Sequence, residues 1–157
     1  MSKLPACLAA AVVLATAACE SKAPEPVVET ALIQPDCYSV TPFRDISIAS
    51  APDGASDAAK AFLGAWGGGA WDGAVCHDLW VLSLDADGQV VMFDAHGPGF
   101  DPDATGFTRR GEVGEDGRLR VRKGRAQVEY WVEDGRLYGE RRIGDRLNRV
   151  ILVRQTG

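Results

Sequence analysis

The chain contains two histidines and four cysteines, and it has no Gly-x-Ser-x-Gly, no phosphate-binding glycine loop and no His-Glu-x-x-His. No catalytic motif therefore names a reaction. Gly97-Pro98-Gly99 lacks the later glycine and the strand–helix setting of a nucleotide loop. Asp101-Pro102-Asp103 lacks the full ligand spacing of a calcium loop and reads as an Asp-Pro turn. No apolar run reaches the roughly 20 residues that a bilayer-spanning helix needs. The formal net charge is −5, a poor balance for a nucleic-acid partner. The charge is uneven: residues 1–105 carry four basic and fourteen acidic groups, residues 106–157 thirteen basic and eight acidic.

What is present first is a leader. Lys3, the apolar run Leu8–Ala18 and small residues before Cys19 form a secretory signal over residues 1–18. Thr16-Ala17-Ala18-Cys19 resembles the lipobox of bacterial lipoproteins, with Thr16 standing where Leu is usual. That resemblance implies a lipid on Cys19, and hence a membrane anchor. Glu20 follows the cysteine, where Asp would favour inner-membrane retention, so the resemblance implies an outer-membrane lipoprotein facing the periplasm. Ordinary signal-peptidase cleavage after Ala17 or Ala18 is the alternative; both export the chain. Residues 19–35, with Pro24, Pro26 and Pro35 among Glu20, Glu25 and Glu29, read as an extended spacer. Residues 36–157 then form a single domain.

With Cys19 assigned to lipid, Cys37 and Cys76 are the thiols left in the mature chain. In an oxidising compartment they read as one disulfide closing a loop of about forty residues.

The domain reads as all-β. Ser56 or Asp57 caps a short helix that ends before Gly64. Strands follow near 64–67, 76–84, 89–96, 106–113, 118–122, 126–132, 136–143 and 146–154, with turns at Asp87-Gly88, Asp116-Gly117, Lys123-Gly124, Asp134-Gly135 and Gly144-Asp145. This is an up-and-down antiparallel meander with enough strands to close a small eight-stranded barrel. A two-residue turn at Lys123-Gly124 sets Leu119 opposite Val128. The next two turns set Tyr130 opposite Gly139, and Leu137 opposite Leu152, on one face. The other face receives the row Arg118, Glu129, Glu140, Arg149, and Trp131, Tyr138 and Ile151 beside it, a patch that residues 37–60 are placed to cover. Arg141 falls on the core side opposite Asn148, to pair with a carboxylate or meet an anionic ligand.

Gly64-Ala65-Trp66 at the head of such a meander, with Arg154 in its last strand, resembles the calycin group of lipocalins and avidins. Trp66 to Gly73, followed by Cys76-His77, is also similar to small β-modules found beside secreted bacterial hydrolases, which assigns no activity. The calycin resemblance implies a non-enzymatic barrel that binds a small molecule, apolar or anionic, with Trp66, Trp80, Phe93, Tyr130 and Arg141 as the candidate lining. No cofactor is implied. Two alternatives stand beside it: an accessory envelope protein with a filled barrel acting on a protein partner, and a histidine-dependent hydrolase.

The hydrolase reading rests on one hairpin. If Asp85 faces Gly88 across the turn, His77 sits opposite His96; if Gly88 forms a bulge, Asp78 faces His96 instead. Asp94 shares a face with His96. Two neutral imidazoles and one carboxylate are a recognised zinc set, in which an open fourth position permits hydrolytic chemistry. Core-like Trp80 and Leu82, on the parity of Asp78, favour solvated strand-end histidines and no tight metal. The leader yields a direct test: the exported protein should incorporate labelled palmitate, and Cys19→Ser should abolish incorporation. Unlabelled soluble protein in the periplasm would remove the anchor.

Overall fold

The computed structural model describes residues 32–34, 37, 46–97 and 104–156. The leader, Cys19, most of the spacer, and the loop that includes Asp101-Pro102-Asp103 lie outside the described residues. A short helix α1 (Asp57–Lys60) precedes eight strands: β1 (Gly64–Trp71), β2 (Val75–Leu84), β3 (Gln89–His96), β4 (Thr105–Val113), β5 (Leu119–Lys123), β6 (Ala126–Glu133), β7 (Arg136–Ile143) and β8 (Arg146–Arg154). They pair in sequence order as a closed antiparallel barrel, an architecture consistent with the calycin-like barrels. Ser56 caps α1 by accepting a hydrogen bond from the Ala59 amide at 3.1 Å.

Alternation sorts the strand residues into an interior and an exterior set. Leu79, Val81, Met92, Leu119, Val121, Val128, Leu137, Val150 and Leu152 form one buried cluster along the axis. Ala59 and Phe62, from α1 and the turn after it, belong to the same cluster and plug that end. Burying a side chain of this size contributes about 1.5–3 kcal/mol. Toward α1 the described interior positions are filled with apolar side chains.

The seam between β1 and β8 depends on Gly69. A Cβ there would overlap the Ile151 carbonyl and crowd Leu152, so glycine lets the two backbones close. The first and last strands also meet through Trp66 and Arg154, the pair carried by the calycin resemblance. The Arg154 guanidinium lies 4.1 Å from the Trp66 ring centre, and it donates to the carbonyls of Leu63 and Ala61 at 2.7 Å each.

The β6–β7 and β7–β8 registers are as the turns dictate, with Tyr130 opposite Gly139, Leu137 opposite Leu152, and Arg141 opposite Asn148. The β5–β6 register differs from expectation. Lys123 pairs with Ala126, so the turn is Gly124-Arg125 and Leu119 faces Tyr130. The slip is two residues, which preserves the faces but moves Lys123 out of the turn and into the strand. Arg120 thus stands opposite Glu129, bonded through Nε at 3.1 Å, while Arg118 reaches the same carboxylate diagonally at 3.6 Å. Glu140 and Arg149 complete the row at 3.1 Å.

In the β2–β3 hairpin both sequence registers occur. Leu84 pairs with Val90 and Ser83 with Val91; a bulge at Leu82 then shifts the count, and His77 pairs with His96. The Leu82 carbonyl accepts the Ala49 amide at 2.8 Å, so the segment before α1 holds the bulge.

A disulfide joins Cys37 to Cys76, on the outer face of β2. Just before it, Ile33 bridges Gly69, and the Gln34 amide donates to the Gly68 carbonyl at 2.8 Å. On the outer face Trp131 and Tyr138 stack at 5.6 Å, and buried Leu32 lines the groove of about 160 Å³ that they form with Ile151. The cover thus includes a residue that precedes the 37–60 segment expected there. Arg154→Ala removes a stacked cation and two hydrogen bonds, and urea unfolding should register a loss of about 2 kcal/mol. Arg154→Lys, which keeps the charge but not the fork, should recover less than half of that loss.

Candidate active site

The interior changes character along the axis. At the end away from α1, inward positions of successive strands carry polar groups: His77 on β2, Asp94 and His96 on β3, Arg109 on β4, Lys123 on β5, Tyr130 on β6, Arg141 on β7 and Asn148 on β8. Trp71, the last residue of β1, packs 5.2 Å from His77 and 6.3 Å from Tyr130.

Asp94 is the hub. Its side chain has no exposure, yet it stays ionised because cations from two other strands reach it. Lys123 Nζ donates to Oδ1 at 2.7 Å, and Arg109 Nε donates to Oδ2 at 2.7 Å. Burial alone would raise the carboxyl pKa; the Lys123 charge and the His96 hydrogen bond overcome it and hold the group well below the usual carboxylate range. Burial pushes Lys123 down from its ordinary value, against the opposing pull of Asp94.

His77 and His96 lie opposite one another with ring centres 4.8 Å apart, nearly parallel. His77 Nδ1 is 2.9 Å from the Ala95 carbonyl, and Nε2 is 3.0 Å from the Tyr130 hydroxyl. A carbonyl only accepts, so Nδ1 carries the hydrogen, and Nε2 accepts from the hydroxyl. Lys123 Nζ donates to the same hydroxyl oxygen at 3.1 Å. The chain of donors therefore runs from Lys123 through Tyr130 to His77. Burial, with the Lys123 charge beside it, holds His77 well below its ordinary pKa and keeps it neutral. Burial and then the Asp94 charge push Tyr130 well above its own, so it remains a phenol. Gly139 allows the Tyr130 ring its place: a Cβ there would sit 2.8 Å from two ring carbons.

His96 differs in access. Its Nε2 is 3.3 Å from Asp94 Oδ1, and its side chain retains 10% exposure where His77 has none. It is the imidazole nearest to solvent.

Ligand atoms of His77, Asp94 and His96 fall within 4.8 Å of one another, a set that suits a transition metal. The cation actually placed on Asp94 Oδ1 is the Lys123 ammonium, so a metal there would have to displace it.

These positions correct several expectations. The histidines are not solvated strand ends: His77 faces inward and is fully buried, and Asp78 takes the outer face. The parity argument from Trp80 and Leu82 fails because the bulge at Leu82 reverses it, and Leu79 and Val81 are the core residues. The candidate lining is not brought together. Trp66 and Tyr130 are core, whereas Trp80 and Phe93 pair on the outer face with rings 5.8 Å apart. Arg141 does face inward, partly buried, and burial lowers its pKa. The expectation of a non-enzymatic binding barrel is overturned by the same cluster, since a buried His77–Asp94–His96 set is consistent with a catalytic or metal-coordinating site.

Arg109, Lys123 and Trp71 are the site residues that sequence reasoning missed. The signal for Arg109 was its parity with Gly111 and Val113 on β4. No protein-family model matches the chain, and searches of curated proteins and of solved structures find no match.

Neutral His77 has a consequence for stability. Below about pH 6.5 the unfolded chain protonates this imidazole while the folded chain does not, so stability falls as pH falls. Urea unfolding from pH 7 to pH 5 should show a loss of up to about 1.4 kcal/mol per pH unit. His77→Gln should flatten that slope. The Asp94 contribution is lost only at lower pH, as its carboxyl protonates, and stays outside this window.

Proposed function

We propose that the polar end of the barrel is a histidine-dependent hydrolytic site in an exported protein anchored through Cys19. The observation that carries this reading is Asp94: a carboxylate with no exposure, held ionised by Lys123 and Arg109 and set 3.3 Å from the one imidazole nearest to solvent. Charges are buried at a cost of several kcal/mol per ion after relaxation, and catalytic sites are where such arrangements concentrate.

The roles follow from hydrogen-bond polarity. Ionised Asp94 accepts from His96 Nε2–H, which leaves the lone pair on Nδ1, a nitrogen enclosed from bulk water. The step requires the His96 ring to admit a water to Nδ1, which then takes a proton from it as the water oxygen attacks an ester carbonyl or phosphoryl centre. The same proton passes to the departing oxygen as its bond breaks. Arg109 and Lys123 face the developing negative charge. Tyr130, which donates to neutral His77 and accepts from Lys123, fixes the ammonium and so the carboxylate.

A metal-assisted version uses the same three ligand atoms, with a divalent ion in place of the ammonium. Metal analysis of purified protein separates the two, because stoichiometric zinc lost in His96→Ala would install the ion as the resident cation. The expected result is none above trace.

Purified mature chain should hydrolyse a member of a chromogenic panel of 4-nitrophenyl carboxylate and phosphate esters. His96→Ala should reduce turnover roughly 100-fold or more, with Asp94→Asn comparable, and exposed Arg142→Ala close to wild type. No turnover on any substrate, or turnover indifferent to His96→Ala, would sink the reading.

A further inference from the structure

The polar end holds hydrogen-bond donors that meet no acceptor among the described residues. Arg109 and Lys123 both contact the buried Asp94 carboxylate, and Arg141 faces inward in the same field. Asp72, at the rim, accepts from the Asn148 side chain and the Arg149 amide. Arg109 meets Asp94 through Nε alone, which leaves its two Nη groups without an acceptor among the described residues. The Trp71 indole N–H, buried beside His77, likewise has no hydrogen-bond partner among the described residues.

An apolar surface stands next to this surplus. Phe107 pairs with Asp94, so its side chain lies on the interior face, yet it is 47% exposed. The Arg109 guanidinium is 4.9 Å from its ring centre. Ile143, two residues beyond Arg141 on the same face, is 37% exposed. A large exposed ring beside a forked cation fits a ligand with two kinds of surface.

We propose that the substrate of this site is an organic anion, its carboxylate or phosphate group met by the Arg109 fork in the field of Lys123 and Arg141, and its apolar part laid against Phe107. The proposal rests on the acid–base reading above for the word substrate, but the binding it asserts does not depend on turnover. Carboxylates and phosphates are acceptor-only groups, and a guanidinium with two free nitrogens is their geometric complement. Lys123 serves less well as the contact, because two of its three donors are already committed to Asp94 and Tyr130. Arg141 adds charge from the opposite wall.

The test is a titration of the full mature chain, followed by NMR, with phenyl phosphate, benzoate, neutral benzamide and cationic benzylamine. Phenyl phosphate and benzoate should saturate, with the largest shifts at Phe107 and Arg109, while benzamide binds at least about tenfold more weakly. Arg109→Lys keeps a charge beside Asp94 and removes the fork, and it should weaken phenyl phosphate about tenfold while leaving benzamide unchanged. Phe107→Ser should weaken both aryl ligands and leave any binding of inorganic phosphate intact. Equal affinity for the neutral and anionic ligands, or anion binding unaffected by Arg109→Lys in a folded variant, would overturn the proposal. Binding to phosphatidylglycerol vesicles without binding of phenyl phosphate would overturn it as well, by assigning the cations to a lipid surface. Anion binding without any ester hydrolysis would sink the catalytic reading alone. Hydrolysis of neutral esters without anion preference would sink this one alone.

Discussion

The bond between Asp94 on β3 and Lys123 on β5 spans the part of the barrel where backbone pairing runs out. β4 and β5 share three residue pairs, from Gly111–Val121 to Val113–Leu119. Beyond Gly111, β4 carries on to Thr105 with β3 as its partner. The interior clamp, with Arg109 of β4 seated on the same carboxylate, connects the three strands there. Removing one partner from such a set leaves an uncompensated buried charge, a cost of about 3–5 kcal/mol. The rest of the site inherits its geometry from this clamp, because Lys123 holds Tyr130, Tyr130 holds His77, and Asp94 orients His96.

The barrel divides its interior between two tasks. Toward α1 it behaves as an ordinary apolar core, closed by Phe62 and by the Trp66–Arg154 contact. Toward the other end it is a hydrogen-bonded network in which a low dielectric strengthens each interaction and penalises each missing partner. Small barrels leave little room for a ligand along the axis once side chains fill it. Chemistry is therefore confined to an end, where partial solvent access and buried charge coexist. His96 and Arg109 sit at that boundary.

Much of the fold was legible. Period-two alternation and the glycine-containing turns placed the strands, and the turns at Asp134-Gly135 and Gly144-Asp145 set the β6–β7–β8 register, with Glu140 opposite Arg149, because a slip of one residue would have turned Tyr130 and Leu137 to solvent. The site was legible only in part. Arg141 was read on the right face, and Asp94 and His96 were read on a common face but as strand-end groups open to solvent, while Lys123 was hidden by taking it as a turn residue; a two-residue slip leaves every face unchanged and so raises no alarm. His77 was misjudged for another reason. Its orientation depends on a bulge three-quarters of the way along β2, and the sequence around Leu82 is apolar on both parities, Leu79, Val81 and Leu84 inside and Trp80 and Leu82 outside. Hydrophobic pattern alone does not locate the extra residue.

That bulge makes the chemistry of the interior depend on a segment outside the barrel. Counted from the Asp87-Gly88 turn without interruption, the ladder would set Asp78 opposite His96 and present a second carboxylate to Asp94. One residue of slack at Leu82 exchanges that carboxylate for an imidazole. The Leu82 carbonyl is held by the amide of Ala49, on the chain that leads from the disulfide to α1. The N-terminal segment thus meets the barrel at the one residue of β2 where the register changes. A substitution that cost the Ala49–Leu82 bond would therefore act on the β2 register, and through it on the histidine pair, without touching either ring.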